Sequence, residues 1–400
     1  MNPTDSPKPT RRRRFLALGA SLASGASCSK VPSESGAHMR TYGDRSPHET
    51  SARVIRELTS SPGTGSSRTP LHDVLGILTP SALHFERHHS GVPAIDPAQH
   101  RLLIHGLVSK PLSFSADDLR QFPSMSRIHF LECSGNSVGD QRGNFQPTVQ
   151  GSHGLLSCSE WTGVSLGLVL RECGVLPEAK WMIAEGADAG RMSRSIPIEK
   201  ALDDAFLAYG QNGEALRPEQ GYPLRLLLPG WEGNANVKWL HRLELAAEPA
   251  MSVKETANYT ELLPSGKAQM FSFVMDARSV ITRPSGGQKL ARKGFHEITG
   301  FAWSGHGRIA RVEVSDDGGK TWADAGLQEP VLPRALTRFR FPWRWEGGES
   351  LLQSRCTDET GYSQPTHEAY VAAYGGNSGY HYHAIKTWHV KDSGDVVTHV

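Results

Sequence analysis

Beyond about residue 270 the chain reads as short alternating runs separated by turns: Ser279–Arg283, Gly294–Trp303, Ile309–Ser315, Arg338–Trp343 and Ser350–Thr357. A period of two is the pattern of strands with one buried face, and no helix keeps such a sequence amphipathic. Between Val312-Glu313-Val314 and Thr321-Trp322 stands Asp316-Asp317-Gly318-Gly319. Its glycines supply the positive φ angles that a hairpin turn requires. About seven such strands over roughly a hundred residues predict a β-sandwich of immunoglobulin type across 270–372.

The stretch from Thr69-Pro70 to about residue 255 has a different character. Ala116–Gln121 and Leu166–Cys173 read as helices, the second with Ser165 as its N-cap and Gly174 at its end. Leu224–Pro229 and Val237–Leu245 read as strands around a Gly/Asn-rich loop. Strands and helices do not alternate regularly, which predicts an α+β domain over 70–255 rather than a doubly wound sheet. A length of 400 residues with 38% hydrophobic content suffices for such packed cores. Residues 31–69, rich in Ser, Gly, Arg and Thr, read as a linker or extended arm. Residues 373–400 carry Tyr380, His381, Tyr382, His383, Trp388 and His389, a tail suited to packing or partner docking, with metal binding as an alternative.

At the other end, Arg11-Arg12-Arg13-Arg14-Phe15-Leu16 runs into a weakly apolar stretch of about 12 residues. A span needs about 20 residues, so 1–30 reads as a twin-arginine export signal and not as a membrane helix. That route carries folded proteins and predicts a periplasmic location. Ser24-Gly25-Ala26-Ser27-Cys28 lacks the aliphatic residue of a lipobox, which favours cleavage over lipid anchoring. Removing residues 1–30 takes away Lys8, Arg11 to Arg14 and Lys30 against Asp5, and the net charge moves from +2 to about −3. The basic balance therefore belongs to the signal and implies no nucleic-acid surface. Cys133, Cys158, Cys173 and Cys356 remain; their spacing neither requires nor excludes disulfides, and no Cys-x-x-Cys-His signature for attached haem occurs.

The chemistry centres on Phe130-Leu131-Glu132-Cys133-Ser134-Gly135-Asn136, a cysteine behind an apolar run and in front of a turn. Such a thiol can be a buried structural group, a nucleophile or a metal ligand. Arg87 and His89, two apart, point to the same side of an extended segment. Arg225 leads into a strand, and Pro229-Gly230-Trp231-Glu232-Gly233-Asn234-Ala235-Asn236-Val237-Lys238-Trp239 and Asn258-Tyr259 follow. Together these offer cationic groups for a phosphate and an anion beside one soft sulfur.

This set, in this order, closely resembles the sulfite oxidase family of molybdenum enzymes over residues 70–370. The motifs are Arg-x-His, the Cys-x-Gly-Asn turn, Trp-x-Gly at Trp161, Ala208-Tyr209 with Asn212-Gly213, Pro-Gly-x-x-Gly, Val-Lys-Trp and the isolated Tyr259. Pro229–Trp239 and the tail after Tyr374 resemble the sulfane dehydrogenase branch in particular. The resemblance implies an α+β molybdopterin-binding domain of sulfite oxidase type followed by an immunoglobulin-like dimerisation domain. It implies one molybdenum–molybdopterin per chain with Cys133 as the thiolate ligand. Arg87 and Tyr259 would line the substrate position, and Trp161 would form an aromatic wall. His89, Asn136, Asp188, Arg225 and Lys238 would hold the pterin and its phosphate.

Three residues, at two places in the chain, depart from the family. Ser137 and Val138 stand where many sulfite-oxidising members have arginines, and Gln220 stands where a histidine is usual. Fewer cations at the mouth would suit a persulfide on a carrier protein better than free sulfite. The implied reaction is oxygen-atom transfer to sulfur, with electrons leaving to a c-type cytochrome subunit in a heterotetramer built on a homodimer of this chain. A periplasmic sulfite dehydrogenase with the same acceptor is the alternative. Competing readings from other classes are a Cys-His hydrolase using His129 or His153 and a non-enzymatic protein that keeps the fold.

Overall fold

A computed structural model describes residues 38–57, 61, 63–376 and 379–399. The export signal read over residues 1–30 lies outside them. The chain divides into Met1–Thr50 and Ser51–Val400. In the first unit, residues 38–50 carry no helix or strand.

Two sheets build the N-terminal part. One runs in the order Glu214–Ala215, Phe206–Gln211, Leu156–Ser165, Ser124–Glu132, with Arg225–Leu227 also paired to Phe206–Gln211. The other runs Leu112–Phe114, Leu102–Gly106, Leu240–Ala246, Trp181–Gly186, Ser193–Pro197, and its pair Leu102–Gly106 with Leu240–Ala246 is parallel. The helix Leu166–Cys173 starts at Ser165 and ends at Gly174, whose φ of 69° suits a residue without a side chain. Its Leu166, Val169, Leu170 and Cys173 are buried with Leu102, Ile104, Leu243 and Leu245 between the sheets.

The stretch 31–69, read as a linker or arm, carries two strands in the structure. Val54–Glu57 and Gly65–Arg68 pair with each other, and Gly65–Arg68 pairs with Glu86–His88. Nothing in Gly-Ser-Ser-Arg favours a strand by propensity. Pairing with the segment that carries Arg87 imposes it.

The C-terminal part is the sandwich. One sheet has the order Arg278–Arg283, Gly294–Trp303, Thr337–Trp345, Gly326–Gln328; the other Ala323–Asp324, Ile309–Ser315, Ser350–Asp358, Thr387–Val390, Val396–Thr398. The hairpin after Ile309–Ser315 is wider than the sequence suggested. Pairing resumes at Val314 with Ala323, and Asp317 accepts the Lys320 and Thr321 amides, both at 3.0 Å, inside the loop. The last two strands come from the segment read as a tail, and Trp388 is buried in the core. That core also takes in Phe130, Leu156 and Cys158, so the two parts share one continuous apolar interior. Cys133, Cys158, Cys173 and Cys356 are free thiols. Among the described residues no helix is long and apolar enough to cross a membrane.

Candidate functional site

Strand Ser124–Glu132 delivers Cys133 to the end of a sheet, where the Cys133 amide donates to Leu155 O at 3.0 Å. The Asn136 amide closes the turn on Cys133 O at 2.8 Å. Loop 229–239 packs on this turn without clearance. A Cβ on Gly233 would lie 2.9 Å from Glu132 O, so only glycine fits there. Asn236 braces the loop, accepting from the Leu228 amide at 2.7 Å and donating to Glu232 O at 2.9 Å.

A cleft of about 730 Å³ opens beside the Cys133 side chain. Arg87, His89, Asp188, Arg225, Lys238 and Tyr259, which are scattered through the sequence, all line it. Its floor is cationic and buried. Arg225 donates to Gln220 O at 3.0 Å and Asn236 O at 3.2 Å, while its Nε has no partner. Among the described residues Arg225 forms no ion pair, and burial pushes its pKa down to about 9. Lys238 donates to Glu219 O at 3.0 Å and lies 2.9 Å from His88 Nδ1. Burial first, and the nearby Arg225 second, bring Lys238 down to about 7. With Nδ1 accepting from Lys238, His88 Nε2 carries the proton toward Glu86, 2.8 Å away. Burial likewise lowers His89 to about 4.

Buried cations short of counter-charge leave room for one more anion, and a phosphate is the bidentate partner that a guanidinium prefers. The residues therefore fit the implied cofactor. Arg225→Met tests this. Losing one charge-assisted contact of about 1.5–3 kcal/mol should lower cofactor occupancy roughly 10- to 100-fold. The cofactor-free chain should unfold at no lower denaturant concentration, since an unpaired buried cation is gone. Molybdenum content and urea denaturation read the two effects.

A second cleft, about 920 Å³, meets the first at Arg87, His89, Cys133 and Tyr259. Tyr259 follows a single π-helical turn, Lys254–Asn258. Arg194, sealed between Glu232 at 3.2 Å and Glu255 at 3.7 Å, sits 4.9 Å from the centre of the Tyr259 ring. The Tyr259 hydroxyl lies 3.4 Å from His89 Nε2. Burial raises the Tyr259 pKa, so the hydroxyl stays a neutral donor where the two clefts meet. Burial also raises the Cys133 thiol, so that less of it is thiolate than in a free cysteine until an opposing charge such as a metal ion draws the proton off.

Several expectations need correcting. Asn136 does not reach the cleft; its amide is taken up by Glu132 Oε1 at 2.9 Å, His153 O at 3.0 Å and the Leu155 amide at 3.1 Å, and it shapes the turn. Trp161 is not a wall of the pocket. It lies fully buried one layer behind, with the Arg225 guanidinium 4.9 Å from its ring centre. Asp188 lines the cleft but accepts the Met192 amide at 3.0 Å. Ser137 and Val138 face inward, Ser137 against Arg278 and Tyr382 O, Val138 against Tyr370 and Tyr382. Their identity therefore does not set the charge of the mouth, where Arg68, Arg87 and Lys254 all stand. His129 and His153 line neither cleft. Arg68 and Arg194 carried no signal in the sequence, because each becomes part of the site through partners distant in the chain, and Lys254 is placed by the π-helical turn that leads into Tyr259.

The chain matches the family described as oxidoreductase molybdopterin binding domain over residues 89–254 and that described as Mo-co oxidoreductase dimerisation domain over residues 269–388. Mouse mitochondrial sulfite oxidase is 33% identical over 292 residues, covering 68% of this chain and 52% of that protein. The NADH nitrate reductase of Ulva prolifera is 32% identical over 292 residues, covering 64% of this chain and 34% of that protein. The chain thus spans only a third to a half of these curated relatives. The crystal structure of the sulfane dehydrogenase SoxCD from Paracoccus pantotrophus superposes with a TM-score of 0.87 at 46% identity, covering 92% of this chain and 95% of that chain. With the cationic cleft beside Cys133 and both domains matched, the chain belongs to the sulfite oxidase family of molybdenum-cofactor oxidoreductases.

Proposed function

We propose that the protein is a periplasmic dehydrogenase that oxidises the sulfane sulfur of a cysteine persulfide on a carrier protein during thiosulfate oxidation. Its electrons pass to a c-type cytochrome subunit, within a heterotetramer built on a homodimer of this chain. The observation that carries the reading is the likeness to a sulfane dehydrogenase over nearly the whole of both chains. The dimerisation-type sandwich supports the homodimer. Export rests on the arginine cluster Arg11–Arg14 with Phe15 and Leu16, and the cytochrome on the need for an outlet in a sequence without a haem attachment motif.

When bound, the molybdenum–pterin group supplies oxygen-atom transfer and accepts two electrons. Within this chain, Arg225 and Lys238 hold its phosphate end and Cys133 offers the soft ligand. Arg87 orients the anionic sulfur group, and the neutral Tyr259 hydroxyl, steadied by His89 and Arg194, donates to charge that grows on it.

A second reading, a sulfite dehydrogenase with the same kind of acceptor, has its own support. Arg68, Arg87 and Lys254 at the mouth suit a small doubly charged anion. Steady-state kinetics of the purified holoenzyme decide between them. The proposal expects kcat/KM for carrier-bound persulfide at least roughly tenfold above that for sulfite, about 1.4 kcal/mol of discrimination. Rapid turnover of free sulfite with the carrier ignored would give the function to the second reading.

A further inference from the structure

We propose that Tyr380 is a specificity-determining residue of this site, fixing the width of the opening through which sulfur reaches Cys133. The inference rests on the reading of Cys133 and Tyr259 as the reacting end. Tyr380 comes from a segment some 120 residues beyond Tyr259, yet it lines the second cleft together with Arg68, Cys133 and Lys254. Its ring centre is 5.1 Å from that of Tyr259, tilted by 45°. Tyr259 is thus flanked by the Arg194 guanidinium and by an aromatic ring from the end of the chain.

What makes this a built wall is the anchoring of the backbone that carries it. The His381 amide donates to Ser134 O at 2.8 Å, directly after Cys133. The His381 ring lies 3.2 Å from Glu232 Oε2, the same carboxylate that holds Arg194. Tyr370 OH donates to Tyr380 O at 3.2 Å, and Ser137 Oγ lies 3.0 Å from Tyr382 O. His381 takes a φ of 54°, a strained conformation for a residue with a side chain, which these contacts hold in place. A ring on so fixed a base cannot swing aside freely. The opening it bounds, rimmed by Arg68 and Lys254, admits a slim, anionic terminal sulfur group and excludes bulky substituents.

Thiol labelling tests this without enzyme turnover. The full chain, produced in a host that makes no pterin cofactor, is treated with iodoacetamide or with a bulky maleimide, and labelling at each cysteine is followed by peptide mass spectrometry. For Tyr380→Ala the bulky-to-small rate ratio at Cys133 should rise roughly tenfold, and for Tyr380→Phe it should stay within about twofold, since access governs the difference between reagents on one thiol. Cys158, buried in the shared core, reports general loosening and should stay unlabelled. An unchanged ratio in Tyr380→Ala overturns the proposal, and so does a rise matched by labelling of Cys158. In the holoenzyme, Tyr380→Ala should raise KM for the sulfur substrate with kcat within about threefold of wild type, a loss of uniform binding. A holoenzyme that turns over no sulfur compound would refute the functional reading, while the labelling ratio would still decide the role of Tyr380.

Discussion

Replacing Cys133 with serine should lower activity by roughly 10³-fold or more, the scale seen when one pre-organised group is removed at a reacting centre. A hydroxyl is hard, and a site that already raises the pKa of a thiol will not ionise a serine. Metal analysis of the purified protein should show one molybdenum per chain in the wild type and clearly less in Cys133→Ser. The fold should survive, because the turn is held by the Cys133 and Asn136 amides and the Asn136 side chain, and a serine oxygen can accept from the Gly135 amide as the sulfur does. Full activity in the serine variant would remove Cys133 from the chemistry altogether.

The second large effect is on stability and starts one residue earlier. Glu132 is fully buried and takes the Trp303 indole N–H at 2.7 Å on Oε2, and the Arg278 guanidinium and the Asn136 amide at 2.9 Å on Oε1. Arg278 is 1% exposed and its Nε has no partner. Glu132→Ala leaves that cation buried without its carboxylate and should cost about 3–5 kcal/mol. Urea denaturation should show a lower midpoint with an unchanged slope. The double variant Glu132→Ala/Arg278→Ala should lose less than the sum of the two single variants, since the unpaired charge is gone. Additive losses would mean that the pair is not coupled.

Much of the architecture was legible because local chemistry and tertiary structure agree there. The helix Leu166–Cys173 keeps its expected bounds, with Gly174 in the left-handed region at its end and Ser165 at its start, although the Ser165 side chain makes no capping bond, and Gly294–Trp303 and Ile309–Ser315 keep the bounds their alternation drew. Arg87 and His89 could be paired from spacing alone, since an extended backbone puts alternate residues on one face, and both line the same clefts. The harder parts depend on partners distant in sequence. Gly65–Arg68 is a strand only because Val54–Glu57 and Glu86–His88 lie on either side of it, and Arg68, paired with Val54, is brought to the mouth by that sheet. Trp161 and Asn136 belong to recognisable motifs, but a motif does not say whether a side chain faces a ligand or supports the residue that does. Ser137 and Val138 mislead for the same reason, as neighbours of Cys133 in sequence that point away from the cleft.

The contacts that finish the Cys133 turn also carry a consequence for the order of events in synthesis. Arg278, Trp303 and His381 reach it from about 145, 170 and 250 residues further along the chain. No local nucleus can complete it, and loop closures of this length come late in folding. A ribosome that has released only the first domain holds the turn by its own local contacts, with the buried Glu132 carboxylate still short of Arg278 and Trp303. The finished turn is therefore a certificate that the chain has been made at least as far as His381, and chains cut short before Tyr380 should carry an ill-formed Cys133 turn even where their first domain is intact.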